Sequence, residues 1–366
     1  MKRTTSQRGL SLIELLVALA IGSVLIVGAV YVFSRGRTTY SVNESVARLQ
    51  ENGRYVLSVL EPDVELAGYY GFTNSPDTIR FVSGASPGVV HAVAAQMRER
   101  PIPAAAPVPV ANLPGGAHDC GTNFAVDVLT PVQGSNNSFA MGPGAGAACA
   151  PYGAGAVDTA DTLTIRRVET GTAAPEADRL QLYASRLRSR SAQQLFVDGN
   201  APGPVDADNE IHNLVVRAYY LSRDAVDRPG LPSLRVKSLG DGARFLDDAE
   251  VMPGVEDFQV QFGIDTGDYD NDGVVDAAAD VNGDGIPESD GRATRYVNPD
   301  FADLDRVQVV SVRIWVRVRA DRPEPGYVDD RHYQYADVDY TPSGADVRFR
   351  RVLMSRTILL RNARTL

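Results

Sequence analysis

Between Arg8 and Arg35 the chain runs for 26 residues, "GLSLIELLVALAIGSVLIVGAVYVFS", with one charge inside it, Glu14. As a helix this run reaches about 39 Å, more than the roughly 30 Å of a bilayer core. In lipid its backbone has only helical hydrogen bonds to make, so helix is the one option left to it. Lys2, Arg3 and Arg8 precede the run and hold the short end in the cytoplasm, which leaves the body on the far side of the membrane. The carboxylate is the anomaly. At the centre of a bilayer an acid costs roughly 2.5–3.5 kcal/mol on insertion scales, so an unused one is rare. A cleaved signal peptide with Ala18-Leu19-Ala20 as its cutting site fits badly, because Glu14 would sit inside the h-region and the apolar run continues to Phe33. A lipoprotein signal is excluded, since no cysteine precedes Cys120.

A different reading gives the charge a use. The stretch Gly9-Leu10-Ser11-Leu12-Ile13-Glu14 resembles the prepilin cleavage motif of type IV pilins and type II secretion pseudopilins. The resemblance implies cutting after Gly9 by a prepilin peptidase, N-methylation of Leu10, and Glu14 as the fifth mature residue. Leu10 stands where the family usually has Phe. A buried carboxylate becomes tolerable beside an α-ammonium in low dielectric. In a filament of parallel helices that ammonium would belong to Leu10 of a neighbouring subunit or to the first residue of a major pilin, and Glu14 would set the register.

Past Arg35 the apolar positions Val42, Val46, Leu49, Gly53, Val56, Leu57 and Leu60 keep one stripe, which predicts a continuing amphipathic helix. Pro62 predicts its end or a kink near Glu61. "RLQENGRYVLSVLEPD" and "ELAGYYGF" then resemble the opening of PilW-family minor pilins. So do "LRVKSLGDGARFLDDAEVMPGVEDFQVQFGID", "VQVVSVRIWVRVRA" and the closing "FRRVLMSRTILLRN". The resemblance is weak between about 75 and 204, and it places a cysteine where this chain has Phe72. The two cysteines present, Cys120 and Cys149, can pair if the body is exported; a reduced cytosolic pair is the alternative.

Runs such as "PIPAAAPVPVANLPGG" and "MGPGAGAACAPYGAGA" read as long surface loops with little core. Strand patterns resume at "DTLTIRR", "LQLYA", "QQLFV" and "IHNLVVRAYYLSR". "FQVQFGI" alternates Phe258, Val260, Phe262 and Ile264 on one face, and "VVSVRIWVRVRA" alternates Val310, Val312, Ile314, Val316 and Val318 against Ser311, Arg313, Trp315, Arg317 and Arg319. With "RHYQYADV" and "VRFRRVLMSRTILLR" these complete a mainly antiparallel sheet. The expected fold class is α+β and pilin-like: a long N-terminal helix packed on an antiparallel β domain with long loops. The expected organisation is a leader over 1–9, a membrane and filament-core half-helix over 10–34, an amphipathic half-helix over 35–61 and a β-rich body over 62–366. The body holds a loop-rich stretch at 75–204 and an acidic insertion at 265–290.

That insertion, "DTGDYDNDGVVDAAADVNGDGIPESD", carries nine carboxylates and no Lys or Arg. Asp268, Asp270, Asp272 and Asp276, with Gly273, occupy positions 1, 3, 5, 9 and 6 of a calcium loop; Asp280, Asn282, Asp284 and Glu288, with Gly285, repeat the pattern twelve residues on. Oxygens at alternate residues followed by a turning Gly wrap one hard cation. Both copies lack the acidic twelfth residue of an EF-hand, which is Ala279 in one and Gly291 in the other. The expectation is therefore one or two weak calcium loops, against a solvated acidic loop.

The net charge of −10 and pI of about 5.0 argue against direct contact with nucleic acid. His91, His118, His212 and His332 show no metal-ligand spacing, and no G-x-S-x-G elbow is present; His212 reads as a strand residue, and no enzyme is indicated. The resemblance implies a minor pilin of a Gram-negative type IV pilus. Such a chain is first a single-pass inner-membrane protein with a periplasmic domain, later part of the extracellular pilus. It would join other minor pilins and the major pilin in a tip or priming complex that supports twitching and adhesion. A type II secretion pseudopilin and an unprocessed, membrane-anchored calcium-dependent adhesin are the alternatives.

Overall fold

The computed structural model describes residues 11–73, 76, 79–82, 119–121, 123–142, 144–186, 193–240, 247–266, 291–302, 304 and 307–363. They begin with one helix, α1, Leu12–Glu65. Two compact units divide the chain, residues 1–50 and 51–366. In the first unit the apolar side chains of α1, from Leu12 to Phe33, stay exposed, and the helix is long and apolar enough to cross a membrane.

In the second unit α1 goes beyond its expected end. It runs through Pro62 to Glu65. The proline removes one backbone donor, yet its own carbonyl accepts from Leu66 N–H at 3.2 Å. The turn it sits in also buries Asp63 and Val64, and those contacts outweigh the missing bond.

Two sheets follow. The first is built from β1 (Arg80–Val82), β2 (Val132–Ser135), β3 (Thr162–Val168), β4 (Ala177–Ser185), β5 (Gln194–Asp198), β6 (Asn209–Ser222), β7 (Ser233–Ser238) and β8 (Asp247–Pro253). Its path is β1-β5-β4-β6-β3-β2, with β7 on β6 and β8 on β7. Only the β1–β5 pair is parallel. The long β6 is the spine: β4 takes Asn209–Asn213, β3 takes Leu214–Tyr219 and β7 takes Arg217–Ser222. The second sheet holds β9 (Val255–Asp265), β10 (Arg295–Val297), β11 (Gln308–Arg319) and β14 (Arg351–Leu359) in the order β10-β9-β11-β14, all antiparallel. The hairpin of β12 (Tyr333–Tyr335) and β13 (Val338–Tyr340) stands apart.

The alternation seen in sequence decides which face is which. Phe258, Val260, Phe262 and Ile264 on β9 and Val310 to Val318 at every second residue of β11 are all buried. Each such side chain removed from water contributes roughly 1.5–3 kcal/mol before entropy is counted. From α1, Val56, Leu57, Leu60 and Val64 are buried as well. Gly53 brings the helix close to β14, since a Cβ there would lie 2.6 Å from Met354 Sδ.

Within 75–204 the expected strands "DTLTIRR", "LQLYA" and "QQLFV" appear as β3, β4 and β5, joined by β1 and β2. The Ala-, Gly- and Pro-rich part differs from the expectation of loops with little core, because the turns after Asp119 bury Phe124, Ala125, Val126 and Val128 beside Met141. Cys120 and Cys149 form a disulfide inside that cluster, with Cα atoms 4.9 Å apart. Their 29-residue separation contributes about 3–4 kcal/mol by the loop-entropy account. Small residues hid this core, because Ala and Gly pack tightly without a hydrophobic run to announce it. Residues 83–118 of the same stretch lie outside the described residues.

One carboxylate fastens α1 to the first sheet. Asp63, 2% exposed, accepts Arg167 Nη2 at 2.8 Å, Arg217 Nη1 at 2.7 Å and the Tyr219 hydroxyl at 2.5 Å. Burial pushes its pKa up, but Tyr219, Arg217 and Arg167 together hold it below the ordinary aspartate value of 3.8. Its stabilisation is therefore present above about pH 4 and is lost as pH falls through the lowered folded value. Asp63→Ala should cost about 2–3 kcal/mol, since it leaves the mostly buried Arg167 guanidinium and the buried Tyr219 hydroxyl without their acceptor, while Arg217 can turn to water. Asp63→Asn should lose the acid limb of stability below pH 4. Urea unfolding of the three proteins at pH 3 and pH 7 checks both, and equal stabilities across the set would refute the role.

Candidate functional site

Gly9 and Leu10, the expected cleavage and methylation positions, lie outside the described residues. Glu14 does not. Its Oε2 accepts Ser11 N–H at 2.9 Å and Ser11 Oγ–H at 3.0 Å, while its own N–H donates to Ser11 Oγ at 3.2 Å. This is a capping box at the start of α1, and Ser11-x-x-Glu14 is its sequence signature. The same residues belong to the stretch that resembles a cleavage signal, so one short motif serves both the helix end and that resemblance. The box lowers the burden of placing an acid in lipid, because Glu14 saturates the helix's own free donor. Among the described residues its second oxygen, Oε1, takes no donor.

All eight expected calcium ligands, from Asp268 to Glu288, lie outside the described residues. Their gateposts are described. β10 pairs back onto β9 with Arg295 opposite Ile264, and the hydroxyls of Thr266 and Thr294 meet at 2.9 Å. The acidic run thus leaves and re-enters the second sheet at one point. Among the described residues no three His, Cys, Asp or Glu side chains gather as a metal site.

The "AGYYGF" turn after α1 is explained by its neighbours. Tyr70 donates its hydroxyl to Val128 carbonyl at 2.9 Å. Gly71 has φ +63, and a Cβ there would lie 2.7 Å from His212 Nε2. His212 is a buried residue of β6 whose Nδ1 faces the carbonyls of Glu169 and Gly171 at 3.1 and 3.0 Å. It is a packing residue of a strand, as its position predicted.

The polar face of β11 is the larger surprise. Arginines and aromatic rings alternate across it: Arg313 over Tyr296 at 3.6 Å, Arg317 over Tyr340 at 4.0 Å and Arg319 over Phe349 at 4.5 Å. Below them Glu256 joins Arg317 at 2.7 Å and Arg351 at 2.6 Å, and Tyr335 donates to Asp257. Arg351 is fully buried. Stacked guanidinium groups are weakly hydrated, which lets the segment 321–349 close over cations that alternation alone would leave in water. Burial pushes the Asp257 carboxyl up, in spite of Arg317 beside it. These groups are paired with one another, an arrangement that holds a sheet and a covering segment together.

Asp161 joins the two sheets. It accepts Asn137 N–H at 2.9 Å and Val260 N–H at 2.7 Å, and its own N–H donates to Phe258 carbonyl at 2.9 Å. Burial, helped by Asp337 and Asp257, pushes its pKa up to about 7, against the two amide bonds. The folded state therefore holds this proton where the unfolded chain has lost it, so stability falls as pH rises from about 4 to about 7 and is level above. Unfolding midpoints of the wild type and Asp161→Asn at pH 5 and pH 8 should diverge, with the wild type losing more stability on the alkaline side. Parallel pH profiles would show that Asp161 carries no proton at neutrality.

Comparison with known proteins completes the picture. Residues 218–362 match the family described as Type IV Pilus-assembly protein W, which takes in the last five residues of β6, β7, β8 and the whole second sheet. Residues 4–30 match the prokaryotic N-terminal methylation motif. No curated protein matches the chain. Among solved structures the type IV-like pilin of Thermus thermophilus is similar at 12% identity over 56% of this chain and 78% of that one, with a TM-score of 0.25. A likeness that distant adds nothing to the fold, which stands on the helix and sheets themselves. The chain carries a prepilin-type N-methylation motif and, over residues 218–362, a type IV pilus-assembly protein W domain.

Proposed function

We propose that the chain is a structural minor pilin of type IV pilus assembly, cut after Gly9, methylated on Leu10 by the prepilin peptidase and then assembled through α1. The carrying observation is the methylation motif continuous with a helix whose apolar side chains from Leu12 to Phe33 are left exposed by the chain itself. Ser11, Ala18, Gly22, Ala29 and Gly36 fall within about 40° on that helix, on the same side as Glu14. A stripe of small residues lets helix backbones approach closely in lipid, and Glu14 can then meet the α-ammonium of a neighbour's first residue. Before assembly the chain is anchored in the inner membrane of a Gram-negative cell with the body in the periplasm; afterwards it is extracellular. It works with other minor pilins and the major pilin in a tip or priming complex, and twitching and adhesion follow from the pilus. The PilW match favours this over a secretion pseudopilin. No catalysis is assigned to it.

Mass spectrometry of the mature N-terminus should find N-methylated Leu10, and Gly9→Ala should leave an uncut precursor. Glu14→Ala should remain inserted and processed, because removing a membrane carboxylate does not hurt insertion, yet its recovery in sheared pili should fall. A terminus at Met1 or after Ala20, or full incorporation of Glu14→Ala, would contradict the assignment.

The acidic run is proposed to bind one or two calcium ions through Asp268, Asp270, Asp272 and Asp276, and through Asp280, Asn282, Asp284 and Glu288. The ligand spacing supports this, and the hairpin base at Thr266 and Thr294 gives the loops a fixed root. Weak sites of about 10⁻⁴–10⁻³ M suit an extracellular module. Ligand at one to ten times Kd stabilises the folded state by about 0.4–1.4 kcal/mol. Millimolar Ca²⁺ should thus raise the melting temperature by a few degrees at most, with Mg²⁺ doing less, and Asp268→Ala with Asp272→Ala should remove the contribution of the first loop. No heat and no shift at calcium concentrations well above that range would leave a solvated acidic loop.

A further inference from the structure

Carboxylates from three separate parts of the body meet where the two sheets join. Asp161 stands just before β3, Asp257 lies on β9, and Asp337 sits in the two-residue turn Ala336-Asp337 between β12 and β13. Asn137 ties two of them together. Its backbone N–H donates to Asp161 Oδ1 at 2.9 Å, and its side-chain Nδ2 donates to Asp337 Oδ2 at 2.9 Å. Asn298, just after β10, donates its Nδ2 to the same Asp337 oxygen at 3.0 Å. Asp257 takes Gln259 Nε2 at 3.0 Å and the Tyr335 hydroxyl, with Arg317 Nη1 3.6 Å away. The ionisable groups around Asp161 are therefore Asp257 of β9, Asp337 and Tyr335 of the hairpin and, behind Asp257, Arg317 of β11. Beyond β10, Asp300 lies 3.4 Å from Asn136 Nδ2. Arg317 is shared with Glu256 at 2.7 Å, so the junction is predominantly negative.

The hairpin is fastened here at two points of unequal strength. Tyr335 is buried; it donates to Asp257 and accepts from Arg317 Nη1 at 2.7 Å. Asp337 is exposed, so its carboxylate can return to water freely, whereas the buried Asp161 and Asp257 cannot. The turn is also held against its own preference. Ala336 has φ +47, a left-handed conformation that two-residue turns give to Gly, Asn or Asp. Release from Asn137 and Asn298 lets it relax. Two hydrogen bonds thus oppose local strain and like-charge repulsion, and one further charge decides the balance. Burial, with Asp337 and Asp257 adding to it, pushes the Asp161 pKa up to about 7 against its two amide bonds. Such coupling is reciprocal: a carboxylate that makes Asp161 harder to ionise is itself pushed away once Asp161 ionises.

We infer that the hairpin tip Ala336-Asp337 is a pH-dependent clasp on the junction of the two sheets, closed on Asn137 and Asn298 while Asp161 keeps its proton and released to water when Asp161 loses it. Tyr335 stays in place as the hinge, because its partners are buried and do not change charge. The body then presents one surface at this point in acid medium and another in alkaline medium. This holds whether or not the chain is a pilin, since each group involved belongs to the body.

Hydrogen exchange of residues 335–338, corrected for the intrinsic effect of pH, tests the clasp in the full-length protein in detergent. Protection should fall about tenfold between about pH 5.5 and about pH 8, the range over which Asp161 discharges beside Asp337. Asp337→Asn keeps an oxygen for the two asparagines but has no charge to be repelled, so its tip should be protected equally at both pH values. Asp337→Ala has no acceptor, and its tip should exchange fast at both. Asp161→Asn should stay closed throughout; where it does not fold, the two variants at exposed Asp337 still decide the matter. Level protection in the wild type would overturn the inference. So would an equal fall in Asp337→Asn, or an Asp337→Ala tip as protected as the wild type at the lower pH.

Discussion

Everything in the second unit is referred to the last turns of α1, and those turns are set by Asp63. A carboxylate taken out of water is costly unless its oxygens are filled. Here Oδ1 takes Arg167 from β3, and Oδ2 takes Arg217 and Tyr219 from β6. Three donors from two adjacent strands converge on a point, so α1 can rotate or slide only by breaking several charge-assisted bonds at once. On its other flank the same stretch of helix meets the second sheet through Gly53 on Met354 and through the ion pair of Glu61 with Arg356. One helix end therefore fixes the position of both sheets. It also explains why Pro62 does not stop the helix: the residue after it is the one the fold most needs in place.

How much of this could be read from the chain depends on the range of the interactions. Period-two patterns are local, so the inward faces of β9 and β11 were plain from Phe258 to Ile264 and from Val310 to Val318. The apolar run around Glu14 was equally plain, because length and charge suffice to recognise it. The Asp63 cluster was not, since its partners lie more than a hundred residues away and no local pattern marks an acid that will be buried. The core around Phe124 and the Cys120–Cys149 disulfide was masked by Ala, Gly and Pro, residues that signal turns whether or not those turns are packed. The closing of 321–349 over Arg317 and Arg351 was hidden for a different reason. Alternating arginines ordinarily indicate a wet face, and only the aromatic rings of Tyr335 and Tyr340, brought from a separate hairpin, make that face dry.

That dry face has a structural consequence. Cation–aromatic stacking and paired charges bind directionally, whereas an apolar core tolerates sliding. The valine face of the second sheet provides the bulk of its burial; the arginine face determines its register against β12 and β13. Such a sheet is stiff on both faces.

The unfilled surfaces of the molecule then follow a rule. Within the body, buried groups are almost all partnered, down to the carbonyls facing His212 and the amides on Asp161. In the first unit the described helix keeps its apolar face, from Leu12 to Phe33, exposed. More folding of that helix does not cover it, because its backbone is already used in helical bonds. On the proposed function that face is left for other molecules: lipid first, then helices of other subunits, with Glu14 and the small residues beside it setting the contact. Association through α1 alone is weakly selective, since apolar helices with small-residue stripes resemble one another. On that reading, selection of a neighbour falls to the body, whose sheets present polar and charged groups in a fixed arrangement.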